Sequence, residues 1–124
     1  MMTRSGPEAV VQRQLEAYNA RDVEALLATY AEDAEQFEHP STLVARGSAQ
    51  MRERLALRFQ EPNLHARLLS RIVMENLVID HEEVTRSFPE GTGKLEMVAI
   101  YEVRDSRIAR AWFRFGANKL DAAP

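Results

Sequence analysis

The hydrophobic spacing of this chain changes period once, near Leu64, and that switch constrains the fold more than any other feature. Before it, apolar residues recur every three or four positions, as on one face of a helix; after it they recur about every two, as along a strand. Helices gathered ahead of a run of strands imply an α+β fold in which a curved sheet wraps helices held on one face. The concave side must then carry the core and any pocket.

In the helical part, Pro7 suits a first helical turn, and Val11, Leu15 and Tyr18 form one apolar stripe. Asp22 is a good N-cap for a second helix through Val23, Leu26, Leu27 and Tyr30. A short edge strand from Ala34 to Glu38 should stop at His39, which Pro40 biases towards an extended conformation. Gly47 and Ser48 punctuate the start of a third helix with Met51, Leu55 and Phe59 on its inner stripe. Turn residues at Glu75-Asn76, Pro89 to Gly93 and Asp105-Ser106 then divide the remainder into four antiparallel strands, at about 64–74, 77–87, 94–104 and 107–116.

The 124 residues suit a single domain over residues 1–124, with 1–6 and 118–124 as loose termini. A domain of that size buries roughly two-thirds of the surface of its unfolded chain, so a proper core is available. A net charge of -3 argues against a nucleic-acid partner, which needs concentrated basic surface. The absence of cysteine excludes disulfides and thiolate metal sites. No apolar run reaches the roughly 20 residues that span a bilayer, and the opening MMTRSGPEAV lacks a signal peptide's apolar core. A cytoplasmic protein with no membrane partner is the expectation.

A tight turn at Glu75-Asn76 places Ser70 opposite His81 and Arg71 opposite Asp80. Counting apolar neighbours assigns Leu68, Ile72, Met74, Leu77 and Ile79 to the buried face together with His81, and sends Asp80 and Glu82 outwards. On that assignment His81, with Ser70 across from it and Glu83 nearby, is either an acid/base group or a histidine satisfied by a local partner. Arg71 and Asp80 would form an exposed cross-strand ion pair worth at most about 1 kcal/mol. Gln14, on the stripe of the first helix, either holds a ligand carbonyl or satisfies a backbone group. His39, at the rim, either exchanges protons or is simply solvated. Strand alternation scatters the nearby acids and histidines, so no metal site is expected.

The runs VVQRQLEAYNARDVEALLATYAEDAEQFEHP and RGSAQMRERL, with VIDHEEV and AIYEVRDSRIARAWFRFG later on, resemble the ketosteroid isomerases and SnoaL-like polyketide cyclases of the nuclear transport factor 2-like superfamily. The resemblance covers nearly the whole chain. It implies a cone-shaped roll of about three N-terminal helices on a curved, mainly antiparallel sheet, of cystatin-like topology, and a homodimer packed through the outer sheet face. It also implies departures in the site. Where the isomerases carry a proton-shuttling carboxylate before the proline of the edge strand, this chain has His39; where they carry an oxyanion tyrosine and a protonated aspartic acid, it has Gln14 and Ala99. His81 falls on a pocket position that is usually apolar. A steroid delta-isomerase is therefore not expected.

Two readings follow. In the first, the protein is an isomerase- or cyclase-type enzyme without cofactor: His39 removes a proton alpha to a carbonyl, and His81 and Gln14 donate to the oxyanion. Tyr18, Leu55, Phe59, Ser70, Glu83, Met97, Tyr101, Phe113 and Phe115 complete the binding site for a small apolar or polycyclic molecule. In the second, the same pocket is a noncatalytic binding module. Val98, Ile100 and Trp112 supply the dimer patch in either case.

Overall fold

The computed structural model describes residues 6–121. Three helices, α1 (Pro7–Ala20), α2 (Val23–Leu27) and α3 (Gly47–Arg58), pack against strands β1 (Tyr30–Glu38), β2 (Thr42–Arg46), β3 (His65–Met74), β4 (Leu77–Phe88), β5 (Gly91–Arg104), β6 (Arg107–Phe115) and β7 (Lys119–Leu120). The strands form one sheet in the order β2-β1-β6-β5-β4-β3, with β7 beside β5. Every pairing is antiparallel except β1 with β6, which is parallel. The expected α+β roll of helices on a curved, mainly antiparallel sheet is the fold that forms.

Local chemistry explains the helical hairpin. Pro7 opens α1, and Val10, Val11, Gln14, Leu15 and Ala17 are its buried positions. The helix stops at Arg21, which turns left-handed (φ 57°) and returns its N–H to the carbonyls of Ala17 and Tyr18. Asp22 then accepts a hydrogen bond from Ala25 N at 3.0 Å and caps α2, a contact typically worth about 1 kcal/mol. Asn19 ties α1 to the sheet: its Nδ2 donates to Ala66 O at 2.9 Å, and Ala66 N donates to its Oδ1 at 2.8 Å.

Three expectations about the elements need correcting. Helix α2 ends at Leu27, and Tyr30 is the first residue of β1, not a residue of the helix. Strand β1 is not an edge: it lies between β2 and β6. The edge is β2, whose five residues bury only Ala45 and so carry no alternating signature. The end of the chain is anchored as far as Asp121, which donates its N–H to Thr92 O and accepts from Lys94 Nζ at 2.9 Å. Gly93 permits this docking, because a Cβ there would lie 2.5 Å from Lys119 O. The rest of the expected loose termini, residues 1–5 and 122–124, lie outside the described residues.

The first hairpin has the expected pairing, with Ser70 opposite His81 and Arg71 opposite Asp80. Its faces are reversed except at Leu68, which a register shift before Ser70 pairs with Glu82 and which packs against the core as expected. Val78, Asp80, Glu82 and Val84 are the buried residues of β4, and His81 points outwards. Ile72 and Met74, assigned to the core from their chemistry, are 61% and 60% exposed. The second hairpin explains the reversal: β5 places Met97 opposite Glu82 and Val98 opposite His81, and directly paired residues share a face. With Leu95, Ala99, Tyr101 and Val103 of β5 buried, the even positions of β4 must face inwards. Among the described residues no helix is long and apolar enough to cross a membrane.

Candidate functional site

Between α1 and the concave side of the sheet lies a cavity of about 80 Å³, several times what one water molecule needs. Its apolar walls come from Leu26, Leu55, Val84, Met97 and Phe113. Its polar groups are Gln14 and Tyr18 on α1, Tyr30 and Gln36 on β1, Glu82 on β4 and Tyr101 on β5. A few convergent polar groups in an otherwise apolar hollow are what a small-molecule site requires.

Glu82 dominates the electrostatics. It is 2% exposed. Burial, reinforced by the negative charge of Asp80 and partly offset by Arg71, raises its carboxyl pKa from the ordinary 4.5 to about 7. A carboxyl poised there is divided between acid and base near neutral pH, the condition under which a single group both accepts and returns a proton. Asp80 itself is fully buried but paired, accepting from Arg71 Nε at 2.7 Å and Nη2 at 3.0 Å. Arg71 also donates to Gln12 Oε1 at 2.9 Å. The expected exposed ion pair is thus a buried bidentate one, and removing either partner should cost about 3 to 5 kcal/mol because the other charge would stay behind.

Around Glu82 the donors are oriented. Tyr101 donates its hydroxyl to Gln14 Oε1 at 3.3 Å, which turns the Gln14 amide nitrogen away from that contact and leaves it able to donate elsewhere. Gln36 Nε2 donates to the Tyr30 hydroxyl oxygen at 3.2 Å, so the Tyr30 proton is not used in that bond. Burial raises the pKa of both tyrosines, with the Glu82 charge adding to the effect, and each stays a neutral O–H donor. Tyr18 is raised by burial as well.

Of the residues singled out from the sequence, Gln14, Tyr18, Leu55, Met97, Tyr101 and Phe113 line the cavity. Phe59 stands one layer back, edge-on to Tyr18 at 5.6 Å, and Phe115 is 43% exposed at the outer end. The two histidines are not brought together. His81 lies on the convex face, with Nε2 3.0 Å from Glu96 Oε2, and Ser70 is exposed on the strand beside it. Glu83 faces outwards beside Arg67, at 3.2 Å. His39 has an exposed side chain beyond the end of β1, and neither histidine is a wall residue of the cavity. The arrangement built on His39 and His81 is therefore not the one the fold makes, because strand alternation puts position 82, not 81, inside. Glu82, Tyr30 and Gln36 were missed. The signal that finds Glu82 is the second hairpin: with Met97 inside, its partner must be inside too.

Among the described residues no three His, Asp or Glu side chains converge as metal ligands. A helix-capped conical sheet enclosing a carboxyl and several oriented neutral donors defines a class of small α+β proteins with an internal polar hollow. The family model described as the SnoaL-like domain matches residues 11–111, and the chain belongs to that family. Among solved structures it is similar to a cystatin-fold protein from Novosphingobium aromaticivorans, with TM-score 0.81 and 24% identity over 88% of this chain and 97% of that one. It is also similar to IdmH, a candidate polyketide cyclase from Streptomyces antibioticus, with TM-score 0.77 and 19% identity over 90% of this chain and 92% of that one. An NTF2-like protein from Burkholderia pseudomallei aligns with TM-score 0.79 and 14% identity over 90% and 92% of the two chains. At these identities the likeness shows the fold. A comparison with curated protein sequences gives no match.

Proposed function

We propose that the protein is an acid–base enzyme of the isomerase or cyclase type, in which Glu82 removes a proton alpha to the carbonyl of a small apolar molecule and returns it to a neighbouring atom. The observation that carries this reading is the Glu82 carboxyl, buried in the cavity wall with its pKa raised to about 7. As the C–H bond breaks, its electron pair becomes an enolate and charge develops on the carbonyl oxygen. The Gln14 amide and the Tyr30 hydroxyl are the neutral donors placed to stabilise it, and one such donor can contribute about 2.7 to 4 kcal/mol. Kinship with a candidate polyketide cyclase supports the reaction class by analogy.

Exchange of α-protons of small aryl ketones in D2O, followed by NMR, tests the proposal. Glu82→Gln should slow exchange by about 10²- to 10⁴-fold, and the wild-type rate should rise with pH to a plateau above about 7. Ketones that bind without exchanging in the wild-type protein would instead favour the noncatalytic binding module.

We also propose a homodimer through the outer sheet face. The apolar residues Ile72, Met74 and Val98 are exposed there, beside Ile100 and a Trp112 ring stacked on Phe37 at 5.7 Å. His81 and Glu96, 3.0 Å apart, share that face, and a second copy related by a two-fold axis would set the same apolar patch against itself.

A further inference from the structure

The cavity continues outwards. A hollow of about 90 Å³ shares Gln36, Leu55 and Phe113 with it and adds Met51, Phe115 and two arginines, Arg54 and Arg58. Both arginines stand on the C-terminal half of α3, four residues apart, so they project from one side of the helix. Arg54 is exposed and makes no ion pair or hydrogen bond with the described residues. Arg58 is 3.5 Å from Glu61, but the Glu61 carboxylate is already engaged by Arg86 at 2.8 Å and by Ser87 N at 3.0 Å. The adjoining rim groove, lined by Arg54, Leu57, Arg58, Glu61 and Arg86, holds three arginines against one glutamate. This local excess of two positive charges sits on a chain whose net charge is -3. A positive, low-dielectric mouth above an apolar hollow concentrates anions at its entrance. The buried Glu82 at the inner end repels them from the interior when it is ionised.

We infer that the ligand of this site is amphiphilic: an apolar, carbonyl-bearing part enters the inner cavity, and an anionic group, carboxylate or phosphate, stays at the mouth against Arg54 and Arg58. The inference rests on the reading of the inner cavity as the reaction site. It adds the substrate class. Arginine suits the task, because its planar fork binds either anion through two N–H groups at once.

Calorimetric titration with 4-phenylbutanoate, 3-phenylpropyl phosphate and methyl 4-phenylbutanoate tests it. At low salt at least one of the two anions should bind about fivefold more tightly than the uncharged ester, as expected for solvent-facing charge pairs. The one that binds more tightly identifies the anion, and the preference should shrink as added salt shortens the screening length. Arg54→Gln should reduce the preference to less than twofold without weakening the ester, and Arg54→Lys should restore most of it. Equal affinities for acid and ester, no measurable binding of either acid, or an unchanged preference in Arg54→Gln would each overturn the inference. Glu82→Gln separates the two proposals. An anion preference with α-proton exchange untouched by Glu82→Gln sinks the acid–base reading alone, and lost exchange with no anion preference sinks this inference alone.

Discussion

The burial that raises the carboxyl pKa of Glu82, the base of the proposed reaction, works against the fold. In the unfolded chain its carboxyl ionises near the ordinary 4.5, whereas in the folded protein it holds its proton up to about pH 7. Between those values the native state binds the extra proton, so stability falls as pH rises, and above pH 7 the loss is complete. The difference corresponds to on the order of 3 kcal/mol. Glu82→Gln should therefore raise the thermal midpoint by several degrees at pH 8 and by little at pH 4.5, as measured by calorimetric melting at the two pH values. A gain of equal size at both pH values would mean that Glu82 is not desolvated. This residue was not legible from the first hairpin, where Leu68, Ile72 and Met74 outvoted the charged residues for the inner face. Apolar content is a poor guide to facing when both sides of a sheet are apolar. Gln14 was legible because α1 has a single buried stripe and the amide falls on it.

At the level of elements, the turn and cap signals read true. Asp22 caps α2, and Glu75 and Asp105-Ser106 adopt the positive φ values of tight turns. Two short strands gave no such signal. β2 buries one residue, and β7 has two residues held by backbone pairing to Gly93 and Lys94, which no periodicity records. The docking of α1 on β3 rests on a polar residue in the last turn of that helix. Asn19 satisfies both backbone groups of Ala66, so Asn19→Ala should strand a donor and an acceptor and cost about 1 to 3 kcal/mol. Chemical denaturation should show this as a lower midpoint with an unchanged slope, and hydrogen exchange should quicken at the Ala66 amide. An Ala66 amide that keeps its protection would show that other contacts hold α1 in place.

For the whole molecule, the helices cover one face of the sheet and leave the other exposed, and it is this exposed face that the proposed dimer would bury. Sedimentation should give a species of twice 14.1 kDa for the native chain. Val98→Glu, which sets an unpaired acid in the centre of the exposed patch, should weaken association at least tenfold. A native chain that stays monomeric at every concentration would rule the dimer out. One topological detail bears on how the chain is made. β1 is joined on one side to β6, about 75 residues further along, so its backbone partners there do not exist until that strand has left the ribosome. Until then β1 carries an unpaired strand edge, and closure of the cone waits on the synthesis of β6.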